Sequence, residues 1–204
     1  MAHGSVHTAR AVRHLRQADP VLAEVIRRVG PCRFETRNSG THFEALARAI
    51  VYQQLSGSAA GTIHARVVET LGGITPEAVL STPDAPLRAA GLSRQKIAYL
   101  RDLSGRVDGG ELDLRRIHEL PDEKIITAVC SVKGIGRWTA HMFLMFRLGR
   151  LDVLPELDLG VRKAVQREYR MRKLPSTERL TKLGRRWAPY RTIAAWYLWR
   201  SLEL

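Results

Sequence analysis

Apolar residues recur at the helical period in one segment after another along this chain, and no segment alternates convincingly, so the sequence points to an all-α fold. Asp19-Pro20 reads as an N-cap followed by proline at the first helical position, with Val21, Leu22, Val25, Ile26 and Val29 on one face until Gly30. Residues 31–41 read as irregular or briefly extended. Phe43, Leu46, Ala47, Ile50 and Val51 keep the same period, as do Ile63, Val67, Val68 and Leu71 before Gly72-Gly73. Thr75-Pro76 and Thr82-Pro83 repeat the cap-then-proline signal for two short helices. Ser93 starts a helix through Ile97, Leu100 and Leu103, and Asp108-Gly109-Gly110 turns the chain. Pro121-Asp122 opens a helix bearing Ile125, Ile126 and Val129; Trp138, Met142, Met145 and Phe146 share a further face. Residues 159–170, 177–187 and 190–202 complete about ten helices, with no fixed-period repeat. Residues 1–17 are expected to form a mobile basic tail ahead of a domain spanning 18–204.

Charge narrows the function. The 33 basic and 20 acidic residues give +13, unevenly spread. Residues 41–160 carry 14 of each sign, whereas residues 161–204 carry 12 basic and 3 acidic. A basic flank beside a neutral body is the electrostatic footprint of a nucleic-acid binder, although a solvated arginine-rich surface would look alike. No apolar run approaches the ~18 residues of a membrane span, and the N-terminus lacks the apolar stretch of a secretory signal, so a cytoplasmic protein without membrane contact is expected. Cys32 and Cys130 are the two cysteines. Two cysteines cannot ligate an iron–sulfur cluster or a four-thiolate zinc.

The binding motif lies at residues 131–140, SVKGIGRWTA, between an apolar helix and an amphipathic one. Gly134-Ile135-Gly136 makes a tight turn: the glycines let the backbone approach a ligand and tolerate positive φ, and Ile135 anchors the turn in the core. Backbone N–H groups at the start of the second helix suit a phosphate. In this setting the segment resembles a helix–hairpin–helix element, about residues 123–147, which grips the DNA backbone without reading sequence. Lys133, Gly134, Ile135, Gly136, Arg137 and Thr139 are its candidate DNA-binding residues.

Asp158 lies 22 residues beyond Gly136, between Pro155 and the apolar spacing of Leu159, Ala164 and Val165. That position suits an N-cap, and most such aspartates only cap. The same rigid placement would let an ionised carboxylate stabilise a cationic sugar in a transition state.

Taken together, the hairpin, the loop and this aspartate resemble the helix–hairpin–helix glycosylase superfamily. Ala49-Ile-Val-Tyr-Gln-Gln-Leu-Ser56, Leu157-Asp158-Leu-Gly-Val-Arg162 and the stretch from Trp187 to Arg200 are similar to segments of the 3-methyladenine DNA glycosylase II family, in a compact form without its N-terminal β-rich domain. The resemblance implies two interleaved helical lobes around a DNA-binding cleft. It implies that the Gln54-Leu55-Ser56 stretch sits on a loop that plugs the gap left by a flipped base, with Gln54 or Leu55 as the wedge. It makes Asp158 the catalytic carboxylate, stabilising the sugar cation or orienting water, and Trp138 and Trp199 aromatic pocket walls. Trp187 and Trp196 read as core. The family's structural monovalent cation, Na+ or K+, would fall to the carbonyls of Cys130, Val132 and Ile135; no other cofactor is implied.

Superfamily members that also cut the strand carry a lysine at the hairpin position occupied here by Trp138. The expected enzyme is therefore a monofunctional one, a monomer acting on double-stranded DNA, that hydrolyses alkylated purines of the 3-methyladenine and 7-methylguanine type to leave an abasic site. Met142 replaces an aromatic of the best-known bacterial pattern, which leaves the substrate range open. The competing readings are a glycosylase/lyase for oxidised or mismatched bases, a non-catalytic helix–hairpin–helix DNA-binding protein, and a helical protein-interaction scaffold.

Overall fold

The computed structural model describes residues 3–36 and 39–204, and among them it contains twelve α-helices and no strand. They fall into two compact units: Met1–Arg37 with Leu144–Leu204, and Asn38–Phe143. The expected tail is a correction. Residues His3–Ala18 form helix α1, whose Ala11 and Leu15 are fully buried. That short apolar stripe is outnumbered by arginine and histidine, which hid it; Met1 and Ala2 lie outside the described residues.

The first unit gathers α1, α2 (Pro20–Val29), α10 (Leu159–Glu168), α11 (Thr177–Gly184) and α12 (Arg191–Ser201). Helix α2 packs on α1 and α12, and α10 packs on α12. Asp19 caps α2 as its sequence position requires, with Oδ1 accepting the Val21 and Leu22 N–H groups at 3.0 and 3.2 Å. Its Oδ2 accepts the Tyr169 hydroxyl at 2.6 Å and the Trp187 indole N–H at 2.9 Å. Burial, then this aspartate, pushes the Tyr169 phenol well above its usual pKa. Trp187 is fully buried, as expected, whereas Trp196 is half-buried, edge-on to Tyr197.

The second unit holds α3 (His42–Tyr52), α4 (Gly57–Leu71), α5 (Pro76–Ser81), α6 (Asp84–Ala89), α7 (Arg94–Asp108), α8 (Asp122–Cys130) and α9 (Arg137–Met142). Thr41 and Glu44 form a reciprocal capping box on α3. Helix α7 packs against α3, α5 and α6. Thr75 caps α5 as read, but Thr82 closes α5, and the next cap is Pro83. The Arg101 guanidinium gathers the Val79, Leu80 and Thr82 carbonyls and closes the end of α5.

The expected continuous helix after Trp138 also changes character. Helix α9 ends at Met142, and Phe143–Arg147 widens into a π-turn where the chain passes from one unit to the other. The wider turn shifts the register, so Met145 is buried while Phe146 is left half-buried.

Candidate active site and nucleic-acid interface

In the first unit the site is organised by Asp158. Pro155 and the turn after it stop the chain from entering α10 early, and Asp158 takes the extended cap conformation. Its Oδ1 accepts the Val161 N–H at 2.8 Å and the Trp199 indole N–H, also at 2.8 Å. The first bond is the cap; the second comes from α12, 41 residues away. Two donors on one oxygen fix the plane of the carboxylate. Beside it, the Trp199 ring stacks on Phe146 at a centroid distance of 6.0 Å, and Phe146 leans on Phe34 at 5.5 Å. Gly160 stands against the carboxylate and the indole: a Cβ there would lie 3.0 Å from Asp158 Oδ1 and 3.1 Å from Trp199 Cδ1. Leu157 and Leu159, on either side of the buried aspartate, are about half exposed.

The loop that leads to Asp158 is held from α12. Arg191 grips Asp152 with two guanidinium nitrogens, at 2.7 and 2.9 Å. The buried Thr192 hydroxyl donates to the Arg150 carbonyl and accepts the Val153 N–H. Helix α12 therefore supplies both the donor on the carboxylate and the staples on the chain before it.

In the second unit the hairpin is built around Gly134. Its φ of +79° and the Tyr99 ring, which fills the place of a Cβ, both demand glycine. Gly136 differs: its φ is −100° and the space around a Cβ is open, so the sequence reading of two conformationally required glycines holds for the first alone. Ile135 is buried and anchors the turn as expected. The Lys133 N–H donates to Asp102 Oδ2 at 2.8 Å, and Lys133 is itself exposed. Burial would raise the Asp102 carboxyl, but that N–H and Arg106 outweigh it and hold the group below its usual value. Arg137 pairs with Glu123 at 3.0 Å, which lowers the Glu123 carboxyl. Thr139, expected on the binding surface, is 8% exposed; the first turn of α9 rotates it inward, so it serves the core. Trp138 is 45% exposed.

The Gln54-Leu55-Ser56 stretch connects α3 to α4, and all three residues are exposed. Gln54 is left-handed at φ +57°, uncommon without glycine. The loop meets the hairpin through Gln53, whose Nε2 donates to the Gly134 carbonyl at 2.8 Å.

The structure thus joins Asp158 to Trp199, and the exposed loop to the hairpin. Phe34, Phe146, Gly160, Gln53, Tyr99 and Asp102 were missed in the sequence. Gly160 had a signal, standing two residues after a cap; the others depend on partners far along the chain. Among the described residues no three His, Cys, Asp or Glu side chains gather for a metal. At the hairpin the Val132 carbonyl accepts the Ile135 N–H at 3.1 Å, which leaves it a second lone pair. Carbonyl oxygens are the hard donors such a cation takes, and the Cys130, Val132 and Ile135 carbonyls would supply that chemistry. No helix of the described residues is long and apolar enough to cross a membrane.

Comparison with known proteins gives consistent results. The profile described as HhH-GPD superfamily base excision DNA repair protein matches residues 47–189. DNA-3-methyladenine glycosylase 1 of Schizosaccharomyces pombe is 36% identical over 166 residues, spanning 79% of this chain and 73% of that one. Among solved structures, the S. pombe 3-methyladenine DNA glycosylase in complex with abasic DNA superposes with a TM-score of 0.83 at 33% identity, covering 96% of this chain and 97% of the other. The DNA-3-methyladenine glycosidase of Bacillus halodurans gives 0.84 at 37% identity, covering 93% and 87%.

Proposed function

The chain belongs to the HhH-GPD superfamily of base excision DNA repair proteins, and from that membership we propose that it is a monofunctional DNA glycosylase for alkylated purines. The observation that carries the proposal is the Asp158 carboxylate, buried beside an aromatic row with one oxygen held by two N–H donors. Relatives named for 3-methyladenine, one of them captured on abasic DNA, support the substrate class and a DNA partner.

The hairpin grips the DNA backbone through the turn at Gly134–Gly136, with Lys133 and Arg137 alongside. Gln54 or Leu55 fills the gap in the duplex while the damaged nucleotide is turned out. A purine alkylated at N3 or N7 is cationic, so its face is attracted to indole and phenyl rings, worth ~0.5–2 kcal/mol. Trp199 and Phe146 supply such rings beside Asp158. As the glycosidic bond breaks, its electron pair leaves with the base and positive charge develops on the sugar. Asp158 stabilises that cation electrostatically. The two N–H donors on Oδ1 hold the carboxylate rigidly in place, as electrostatic stabilisation of a developing charge requires. Water adds to the sugar carbon, loses a proton to solvent, and leaves an abasic site. A Na+ or K+ on the Cys130, Val132 and Ile135 carbonyls would add a positive charge for a DNA phosphate. The enzyme acts as a monomer, in the cytoplasm, and needs no other cofactor.

The test is release of free base from methylated duplex DNA, followed by chromatography. Wild-type protein should release 3-methyladenine and 7-methylguanine, borohydride should trap no covalent complex, and Asp158→Asn should lose at least about a hundredfold in rate, as when a positioned transition-state donor is removed. Wild-type release by folded Asp158→Asn would refute the assignment; efficient trapping would make the protein a lyase.

A further inference from the structure

The contact between Gln53 and the hairpin has no part in the proposed chemistry, yet it joins the two elements that handle DNA. Gln53 is the residue at which α3 ends, and the three exposed residues after it form the loop. Its amide donates to the Gly134 carbonyl at 2.8 Å, across 81 residues of sequence. Both ends of this bond are fixed. On the hairpin side, the Tyr99 ring leaves Gly134 no freedom, and Asp102 holds the preceding N–H. On the loop side, Lys96 Nζ donates to the Val51 carbonyl at 2.7 Å and secures the last turn of α3. Immediately after Gln53 the backbone turns left-handed at Gln54, which a non-glycine residue adopts only where its surroundings impose it.

We propose that Gln53 is a positioning residue that couples the duplex-opening loop to the hairpin, so that holding the backbone and entering the helix act as one device. The proposal rests on the reading of Gln54 or Leu55 as the wedge. A wedge on an untethered loop would recoil when pressed into a base stack. Here the recoil is transmitted through the Gln53 amide to a turn already fixed on the phosphates. The coupling matters when a stacked, paired nucleotide must be displaced, and little when the lesion is already unpaired, since unpaired bases flip at lower cost.

The test is single-turnover excision of 7-methylguanine placed opposite cytosine and, separately, opposite an abasic site. Gln53→Met keeps length and shape and removes the donor. It should slow excision from the paired site by about five- to tenfold, the factor expected for one hydrogen bond, with less than about a twofold change at the unpaired site. Affinity for undamaged duplex should stay within about twofold, because the hairpin keeps its own supports. Gln53→Glu adds a second signature. Ionised, it opposes the Gly134 carbonyl; protonated, its O–H can donate to it. Its paired-site rate, divided by the wild-type rate at the same pH, should therefore recover as pH falls through the carboxyl range. Equal losses at both sites, or a Gln53→Glu ratio that ignores pH, would overturn the coupling. Absence of base release by the wild type would overturn the glycosylase reading and the coupling with it, an outcome distinct from the first.

Discussion

Gly160→Ala probes the active site without touching either polar partner. Gly160 is the second residue of α10 and its φ is not left-handed, so its backbone accepts alanine. Helix propensity alone would favour the change by about 0.5–1 kcal/mol. The new Cβ would stand 3.0 Å from Asp158 Oδ1, 3.1 Å from Trp199 Cδ1 and 3.2 Å from Trp199 Nε1. Comfortable contact begins near ~3.5 Å, so the three atoms must recede by roughly 0.3–0.5 Å. Neither side can yield freely: Trp199 is stacked on Phe146, and Asp158 is tied to the Val161 N–H. The strain falls on the 2.8 Å bond between them. Stability should stay within about 1 kcal/mol of wild type, the propensity gain offsetting the crowding. A misplacement of ~1 Å costs about a hundredfold in rate, so a shift of this size should cost about tenfold in kcat, with KM nearly unchanged. Single-turnover release from methylated duplex, paired with a thermal melt, measures both. A normal melt with a wild-type rate would refute the claim that Asp158 works by its exact placement against Trp199. Trp199→Phe, which keeps a ring and removes the donor, should show a loss that does not add to that of Gly160→Ala.

The hairpin glycines should separate cleanly: Gly134→Ala, forced against Tyr99 in a left-handed conformation, should melt markedly lower, whereas Gly136→Ala should melt like wild type and show any defect in DNA affinity alone. Asp19→Ala should cost about 3–5 kcal/mol in denaturant unfolding, well beyond the ~1 kcal/mol of a lost cap, because it also strands the half-buried Tyr169 hydroxyl and the buried Trp187 indole N–H; a loss near 1 kcal/mol would show that those donors find other partners. Asp102 has a folded pKa below its ordinary 3.8, so its stabilisation is fully present above about pH 5 and disappears as pH falls through the lowered value. Asp102→Asn should flatten that part of the acid-stability profile, and an unchanged profile would show that the bond to the Lys133 N–H is not felt in solution.

Local signals carried far in this chain. Asp19, Thr75, Ser93 and Asp158 each cap the helix their position announced, because a cap and the N–H it accepts lie two or three residues apart. Tyr99, Asp102 and Gln53 could not be found that way. Each acts on the hairpin from 31 or more residues away, and nothing in its own neighbourhood distinguishes it from an ordinary helix residue. Gly136 shows the converse error: the Gly-x-Gly pattern suggests two left-handed residues, and the turn uses one. The aromatic row failed for a subtler reason. Phe146 shares a face with Trp138 and Met142 at ordinary helical spacing, but the π-turn breaks that spacing before Phe146, and no periodicity count anticipates a π-turn. Helix α1 was lost to composition, since its buried stripe is narrow and its surface strongly basic.

The division of the chain has a consequence for its synthesis. The unit that carries the hairpin is one uninterrupted stretch, Asn38–Phe143, whereas the unit that carries Asp158 is assembled from both ends of the polypeptide. A ribosome therefore finishes the gripping unit first, and the residues that support the hairpin have all emerged before the last helices do. The other unit waits for α12, the last helix to emerge, which brings Trp199 to the carboxylate and Thr192 to the preceding strand of chain. A polypeptide broken off before residue 191 would thus retain a complete hairpin while lacking the donor that holds its aspartate. Such a fragment would hold the DNA backbone through its hairpin without the ring and the donor that Trp199 gives the site.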